Sequence, residues 1–291
     1  MKIELPKVNK IKIGTCSWNY DSWVGLVYTK RCNRSAEYLT EYAKHFSTVE
    51  IDSWFYKPPT LSDANEYLER AGKNLMFSCK LHQGITLTHF RPKKTDATLR
   101  ENPEFLSVDA YNHYTAPLQT MLPQIGAIEL EFEYLNRSKM PSLDVFLKKM
   151  DDFFSKIDRT FPLAVETRNK NYLHAEYFSL LKEHNVAHVF TEKLYMPHIY
   201  EVYEKFGDLL SDTVLIRLLG GDRAEIEKKT GNKWDTIVYE KHDLHEIAKM
   251  AKHISAQGKK LFIYVNNHYE GSAVRTIERM RTLFSVSEGT I

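Results

Sequence analysis

Short apolar or alternating runs recur along this chain, each followed by a longer stretch of helical periodicity. The strand-like runs are Lys10–Ser17, Thr48–Ser53, Met76–Leu81, Ala127–Phe132, Leu163–Thr167, His188–Thr191, Thr213–Leu218 and Lys260–Asn266. The helical stretches are Ser35–Phe46, Ser62–Ala71, Glu104–Leu122, Ser142–Ile157, His174–His184, Met196–Phe206, Asp243–Gln257 and Ser272–Phe284. Ser62 and Asp63 suit a helix start, Ser142 follows Pro141, and Gly258 after Gln257 suits a helix stop. Strict β/α alternation predicts a parallel sheet, and eight units favour closure into a single-domain (β/α)8 TIM-like barrel spanning residues 1–291. The first turn, GTCSWNYDSWVG, has no G-x-G-x-x-G, which argues against an open nucleotide-binding sheet. No linker, low-complexity tract or internal repeat divides the chain. His82–Pro103 and Leu219–His242 are long for βα loops, and both follow strand C-termini, the face where barrel enzymes keep their sites.

Side chains alternate across a strand, so one parity must face the helices and the other the barrel interior. Val49 and Ile51, Phe77, Cys79 and Leu81, Ile128, Leu130 and Phe132, and Leu261, Ile263 and Val265 form the helix-facing set. The opposite parity holds Glu50, Asp52, Ser78, Lys80, His82, Glu129, Glu131, Glu166, Arg168, His188, Glu192, Arg217, Tyr264 and Asn266. An ordinary barrel fills this space with branched apolar side chains. Here the acids Glu50, Asp52, Glu129, Glu131, Glu166 and Glu192 outnumber the bases Lys80, Arg168 and Arg217. Unpaired buried charge costs several kcal/mol per ion, so these groups must pair, bind something or take up a proton. Two readings follow: a substrate site at the C-terminal mouth, or an ion-pair network that plugs the barrel.

Bulk composition narrows the function classes. With 40 basic and 38 acidic residues the net charge is +2, so no overall basic footprint marks a dedicated nucleic-acid binder. Cys16, Cys32 and Cys79 form no metal pattern, and Cys16 and Cys79 read as buried reduced thiols. No apolar run is long enough to span a bilayer and Met1–Lys12 carries charge throughout, so a cytoplasmic protein with no membrane partner is expected.

Further signals concern the loops. Trp18, Tyr20, Trp23 and Tyr28 make the first βα loop aromatic; they either pack it as a lid or stack on a flat ligand. Trp54, Phe55 and Tyr56 before Pro58 and Pro59 carry the same ambiguity. Arg217 ahead of Gly220 and Gly221 could hold an anion or pair with Glu166. A divalent metal would need His82 and His89 helped by Glu50 or Asp52.

Six segments, in order along the chain, resemble the DUF72 family: GTCSWNYDSWVGLVY, TVEIDSWFYKPP, FSCKLHQGITLTH, AVETRNKNY, IRLLGG and IYVNNHYEGSAVRTI. The resemblance implies an α/β barrel of uncharacterised function. It carries over motif positions Trp18, Tyr20, Trp23, Glu50, Tyr56, Lys80, His89, Glu166, Arg168, Arg217, Asn266 and Asn267. Asp52 stands where the family usually has Asn, Trp54 where it has Thr, and Glu131 and Glu133 where many members have a Gln-Leu-Pro run. These departures make the mouth more acidic.

The combined expectation is an enzyme, of hydrolase or lyase type, binding a small polar or anionic ligand at the mouth. Glu50 and Glu166 are the candidate acid and base and His89 a loop participant. Trp18, Tyr20, Trp23, Asp52, Tyr56, Lys80, Arg168, Arg217, Tyr264, Asn266 and Asn267 are the candidate ligand contacts. One alternative is a nucleic-acid barrel cleaving phosphodiesters with a metal, touching phosphates through Arg91–Lys94 and Glu227–Lys233. Another is a module that binds a metabolite without turnover.

Overall fold

The structure is a computed structural model that describes residues 11–91 and 98–285. Eight parallel strands close into a barrel in chain order. They are β1 (Ile11–Cys16), β2 (Thr48–Ile51), β3 (Met76–Lys80), β4 (Ile125–Phe132), β5 (Leu163–Thr167), β6 (Ala187–Lys193), β7 (Thr213–Gly220) and β8 (Lys260–Val265). The helices are α1 (Ser35–His45), α2 (Leu61–Ala71), α3 (Gln83–Thr86), α4 (Val108–Thr115), α5 (Leu143–Phe154), α6 (Ala175–Glu183), α7 (Ile199–Phe206), α8 (Arg223–Thr230), α9 (Leu244–Ala256) and α10 (Ala273–Ser285). No described helix is long and apolar enough to cross a membrane.

Local chemistry explains where the boundaries depart from periodicity. Helix α2 starts at Leu61 because Thr60, not Ser62, caps it. Thr60 Oγ1 accepts from Asp63 N at 3.1 Å, and Asp63 Oδ2 accepts from Thr60 N at 3.0 Å. Ser142 caps α5 as expected, accepting from Val145 N at 3.3 Å. The stretch expected as one helix over Glu104–Leu122 splits into α4 and a 3-10 run, Ala116–Gln124, because Pro117 has no N–H to continue the α ladder. The helix expected from Met196 starts only at Ile199, past Pro197. Helix α8 has no apolar stripe to reveal it; Ile226 is its sole buried residue and Asp222 caps its first turn.

The helix-facing parity packs as expected. Val49, Ile51, Phe77, Cys79, Leu81, Ile128, Leu130, Phe132, Leu261, Ile263 and Val265 are all buried in the layer between barrel and helices. Inside the barrel, Cys16, Ala127, Ala164, Ala187, Val189, Leu215, Phe262 and Tyr264 form a separate apolar floor. Cys16 and Cys79 are buried free thiols.

Strand six corrects the inward list. Ala187 and Val189 occupy its interior parity, so His188 faces the helices. The His188 ring meets Tyr177 Oη at 3.1 Å and packs edge-on against Phe178 and Phe190. Burial lowers its pKa to about 3, which makes it a neutral core residue. Glu192 shares that parity and bonds to His198 and to the Ile199 amide, outside the barrel.

Gly14 on β1 is demanded by close approach. A Cβ there would lie 1.7 Å from the Thr48 carbonyl oxygen and 2.9 Å from Tyr42 Oη. That approach lets Tyr42 Oη serve both Thr15 N at 2.9 Å and Thr48 O at 3.0 Å, tying α1 to the first two strands.

Candidate functional site

Strand register stacks the polar interior above the apolar floor. Cys16 lies beside Glu50, Glu50 beside Ser78, Lys80 beside Glu129, Glu131 beside Glu166, and Arg217 beside Tyr264. Lowest are hydroxyls: Tyr264 Oη is 2.6 Å from Ser78 Oγ and 3.0 Å from Thr48 Oγ1. Tyr264 is wholly buried, so it serves as floor beneath the charges.

The next tier is fully enclosed. Arg217 Nε lies 2.6 Å from Glu50 Oε1 and its Nη2 2.9 Å from Glu50 Oε2. Its Nη1 bonds to Glu166 Oε2 and lies 3.3 Å from Glu131 Oε2. The side chains of Glu50, Glu129 and Glu166 have no exposure, and that of Arg217 has 2%. One guanidinium thus satisfies acids from three strands, the fork geometry that favours arginine over lysine in buried ion pairs.

Burial pushes the Glu50 carboxyl up, but the charges of Arg217 and Lys80 outweigh it and leave its pKa at about 2. Glu129 goes the other way. Burial raises it, the negative charge of Glu50 raises it further, and Arg217 only partly compensates. Glu129 is thus driven towards its protonated form, in which its hydroxyl is a donor for the ionised Glu50.

The uppermost tier is partly open to solvent. Lys80 Nζ sits 2.7 Å from Asp52 Oδ1 and 3.0 Å from Glu131 Oε2. Arg168 Nη2 reaches Glu131 Oε1 at 3.0 Å and its Nε reaches Glu166 Oε1 at 2.6 Å. Side-chain exposure is 29% for Asp52, 17% for Glu131, 15% for Arg168 and 12% for Lys80. Burial and the neighbouring Glu50 raise the Asp52 pKa against the pull of Lys80. Burial also opposes ionisation of Glu131, but Lys80, Arg168 and Arg217 together lower it. The two accessible acids therefore differ: Asp52 holds a proton more readily than an ordinary aspartate, while Glu131 is held below the usual carboxylate range.

Several expected contacts lie elsewhere. Trp18 and Trp23 are buried, donating their indole N–H groups to Ser35 O at 2.8 Å and Trp234 O at 3.0 Å. Neither ring has a face open for stacking, so of the two roles the first loop could play, packing describes both. Trp54 is likewise buried, stacked on Tyr67. Tyr20 remains at the rim, its hydroxyl 3.4 Å from Cys16 O. Asn267 is buried and its Oδ1 accepts from Ala273 N at 2.9 Å, while Asn266 Oδ1 accepts from His268 N at 2.9 Å. Tyr56 is exposed, beside Phe55, whose ring carries Lys80 Nζ at 5.7 Å.

His89 is not gathered into the cluster; its Nδ1 lies 3.0 Å from Thr88 Oγ1. His82 Nδ1 accepts from Gly84 N at 3.2 Å, and among the described residues neither loop histidine gathers with Glu50 or Asp52 as metal donors. Of the basic run Arg91–Lys94, residues 92–94 lie outside the described residues. In Glu227–Lys233, Lys229 pairs with Glu225, and Glu227 with Arg223 and His268.

Two rim residues escaped the sequence reading. Lys193 ends β6 on the interior parity, and burial together with Arg168 lowers its pKa. His268 bridges Asn266 Oδ1 at 2.6 Å and Glu227 Oε1 at 3.1 Å. Period two could have found Lys193; His268 follows a turn and leaves no periodic signal. Beside His268, whose ring lies 4.8 Å from that of Trp234, the first and seventh βα segments are clasped: Trp234 N donates to Ser22 Oγ at 3.1 Å and Trp23 Nε1 to Trp234 O.

Residues 12–290 match the family model described as "Protein of unknown function DUF72". A DUF72 family protein from Thermotoga maritima superposes with a TM-score of 0.66 at 16% identity, covering 95% of this chain and 99% of that one. A DUF72 family protein from Enterococcus faecalis gives 0.65 at 19% identity, with 95% and 96% covered. A psychrophilic glycoside hydrolase family 10 endo-β-1,4-xylanase gives 0.52 at 9% identity, with 97% and 98% covered. At these identities the likeness is one of fold. No curated protein matches the chain in sequence.

Proposed function

The chain belongs to the DUF72 family, and we propose that its barrel mouth binds a small hydroxyl-rich ligand and cleaves it by carboxylate acid–base chemistry. The observation that carries this reading is the pair Asp52 and Glu131, accessible and flanking one ammonium, Lys80 Nζ, at 2.7 and 3.0 Å. Asp52, its pKa raised, donates a proton to a leaving oxygen. Glu131, ionised, stabilises the positive charge that develops on carbon or attacks it directly; water then adds to that carbon, gives its proton back to Asp52 and frees Glu131. Glu50, Glu166 and Arg217 lie one tier below and hold this pair in place rather than meeting the ligand.

The balance of charge favours hydroxyls over an anion. Lys80, Arg168 and Arg217 are each held by carboxylates, so an anionic ligand would have to displace Glu131 or Asp52. A hydroxyl group can bridge carboxylate and ammonium without displacing either.

Thermal unfolding in the presence of neutral mono- and disaccharides, sugar acids and sugar phosphates tests the proposal. A hydroxylated compound is expected to raise the midpoint, and Asp52→Asn and Glu131→Gln to lose the shift while keeping the fold. If no compound shifts the native chain and Glu131→Gln is markedly less stable than the native protein, the charges are a structural plug.

A further inference from the structure

Outside the barrel, at the C-terminal end of β6, Glu192, His198 and Asp243 present one ligand atom each within 4.8 Å of one another. His198 Nδ1 lies 3.0 Å from Glu192 Oε1 and 3.5 Å from Asp243 Oδ2. These separations are those of donors around one small cation with bonds of about 2.0–2.2 Å. The donors are also oriented from behind. The Ile199 amide donates to Glu192 Oε2 at 3.1 Å, leaving Oε1 to point at the histidine. The His198 ring is stacked on Tyr200, with centroids 5.2 Å apart and planes 8° from parallel. Such outer contacts fix the ligand atoms before an ion arrives.

A second observation points independently to a ligand. Tyr269 is 1% exposed and its hydroxyl has no hydrogen-bond partner among the described residues. A buried hydroxyl without a partner costs about 1–3 kcal/mol. Tyr269 lines the same cavity as Glu192 and His198, a space of about 210 Å³ that Gly220 and Gly221 also border.

We infer that Glu192, His198 and Asp243 form a divalent metal site, of the kind that takes zinc or manganese, with its open coordination positions facing this cavity. One imidazole and two carboxylates form a mixed N/O set suited to these ions rather than to calcium or magnesium. The Tyr269 hydroxyl would hydrogen-bond whatever fills an open position. Lys193 and Lys241 line the cavity as well, where an anionic group on a metal-bound ligand would rest. The site is separate from the Asp52–Glu131 pair and does not depend on the function proposed for it.

Isothermal titration of the full chain with zinc chloride, and separately with manganese chloride, tests the inference. One equivalent is expected to bind in the micromolar range or tighter. His198→Ala and Glu192→Gln should each weaken that binding at least tenfold, with the far-UV circular dichroism unchanged. Asp52→Asn, in the barrel mouth, should bind as the native chain does. Native-like affinity in His198→Ala, or no one-equivalent binding of either metal to the native chain, overturns the site.

Discussion

The guanidinium of Arg217, from β7, grips both carboxylate oxygens of Glu50, from β2, at 2.6 and 2.9 Å across the barrel interior. Strands two and seven are not neighbours in the sheet, so this bidentate pair is a cross-brace. The positive charge of Arg217 also helps to lower the Glu131 pKa and opposes the rise of the Asp52 pKa.

Removing the brace should be severe. Arg217→Met leaves Glu50 buried without its counter-ion and Glu166 with Arg168 alone, and the expected loss is about 3–5 kcal/mol in urea unfolding. Adding Glu50→Gln and Glu166→Gln to that variant should recover a large part of the loss, because it is stranded charge that costs. A triple variant no more stable than Arg217→Met would show that packing is responsible.

Glu129 predicts a pH effect of a particular sign. Its folded pKa is raised, so the stability it contributes is fully present below about pH 4.3, its unfolded value, and fades as pH rises towards the folded value. Glu129→Gln keeps a donor for Glu50 and needs no proton. Its melting temperature should match the native protein near pH 5 and exceed it by a few degrees near pH 8.5. Parallel curves at the two pH values would contradict a shared proton.

His188 works in the other direction. Its folded pKa is lowered to about 3, so its stability contribution is present above about pH 6.5 and is lost as pH falls through the interval between them. His188→Phe fits among Tyr177, Phe178 and Phe190 and removes the titrating group. The variant should pay a pH-independent cost of about 1–3 kcal/mol for the lone Tyr177 hydroxyl. Its loss of stability between pH 6.5 and 4 should be shallower than the native protein's in denaturant titrations.

Gly14 tolerates nothing larger. A methyl group 1.7 Å from the Thr48 carbonyl oxygen forces β1 and β2 apart at the point where Tyr42 joins them. Gly14→Ala is expected to lose more than about 4 kcal/mol, seen as insoluble expression or a collapsed melting transition.

Towards the C-terminal ends of β2, β3 and β4 the parity was legible because apolar residues keep to one side and polar ones to the other. In β3, for instance, Phe77 and Cys79 alternate cleanly with Ser78 and Lys80. Strand six has apolar residues on both parities, Val189 inside and Phe190 outside, so nothing in the pattern tells which face His188 takes. Depth was also hidden. Period two places Glu50 and Asp52 on one face alike, but the 3-10 turn at Ser53–Phe55 leaves Asp52 at the surface and Glu50 sealed beneath Arg217. That difference moves the reacting role from Glu50 and Glu166 to Asp52 and Glu131 in the proposed chemistry. The aromatic first loop reads equally well as lid or stacking platform, since both require the same residues, and only tertiary contacts put Trp18 and Trp23 in the packing.

The Ser22, Trp23 and Trp234 clasp couples two segments that lie more than two hundred residues apart in the chain. With the loops on either side of β8 fastened to each other, neither can swing alone, so any displacement of the first must drag the seventh with it.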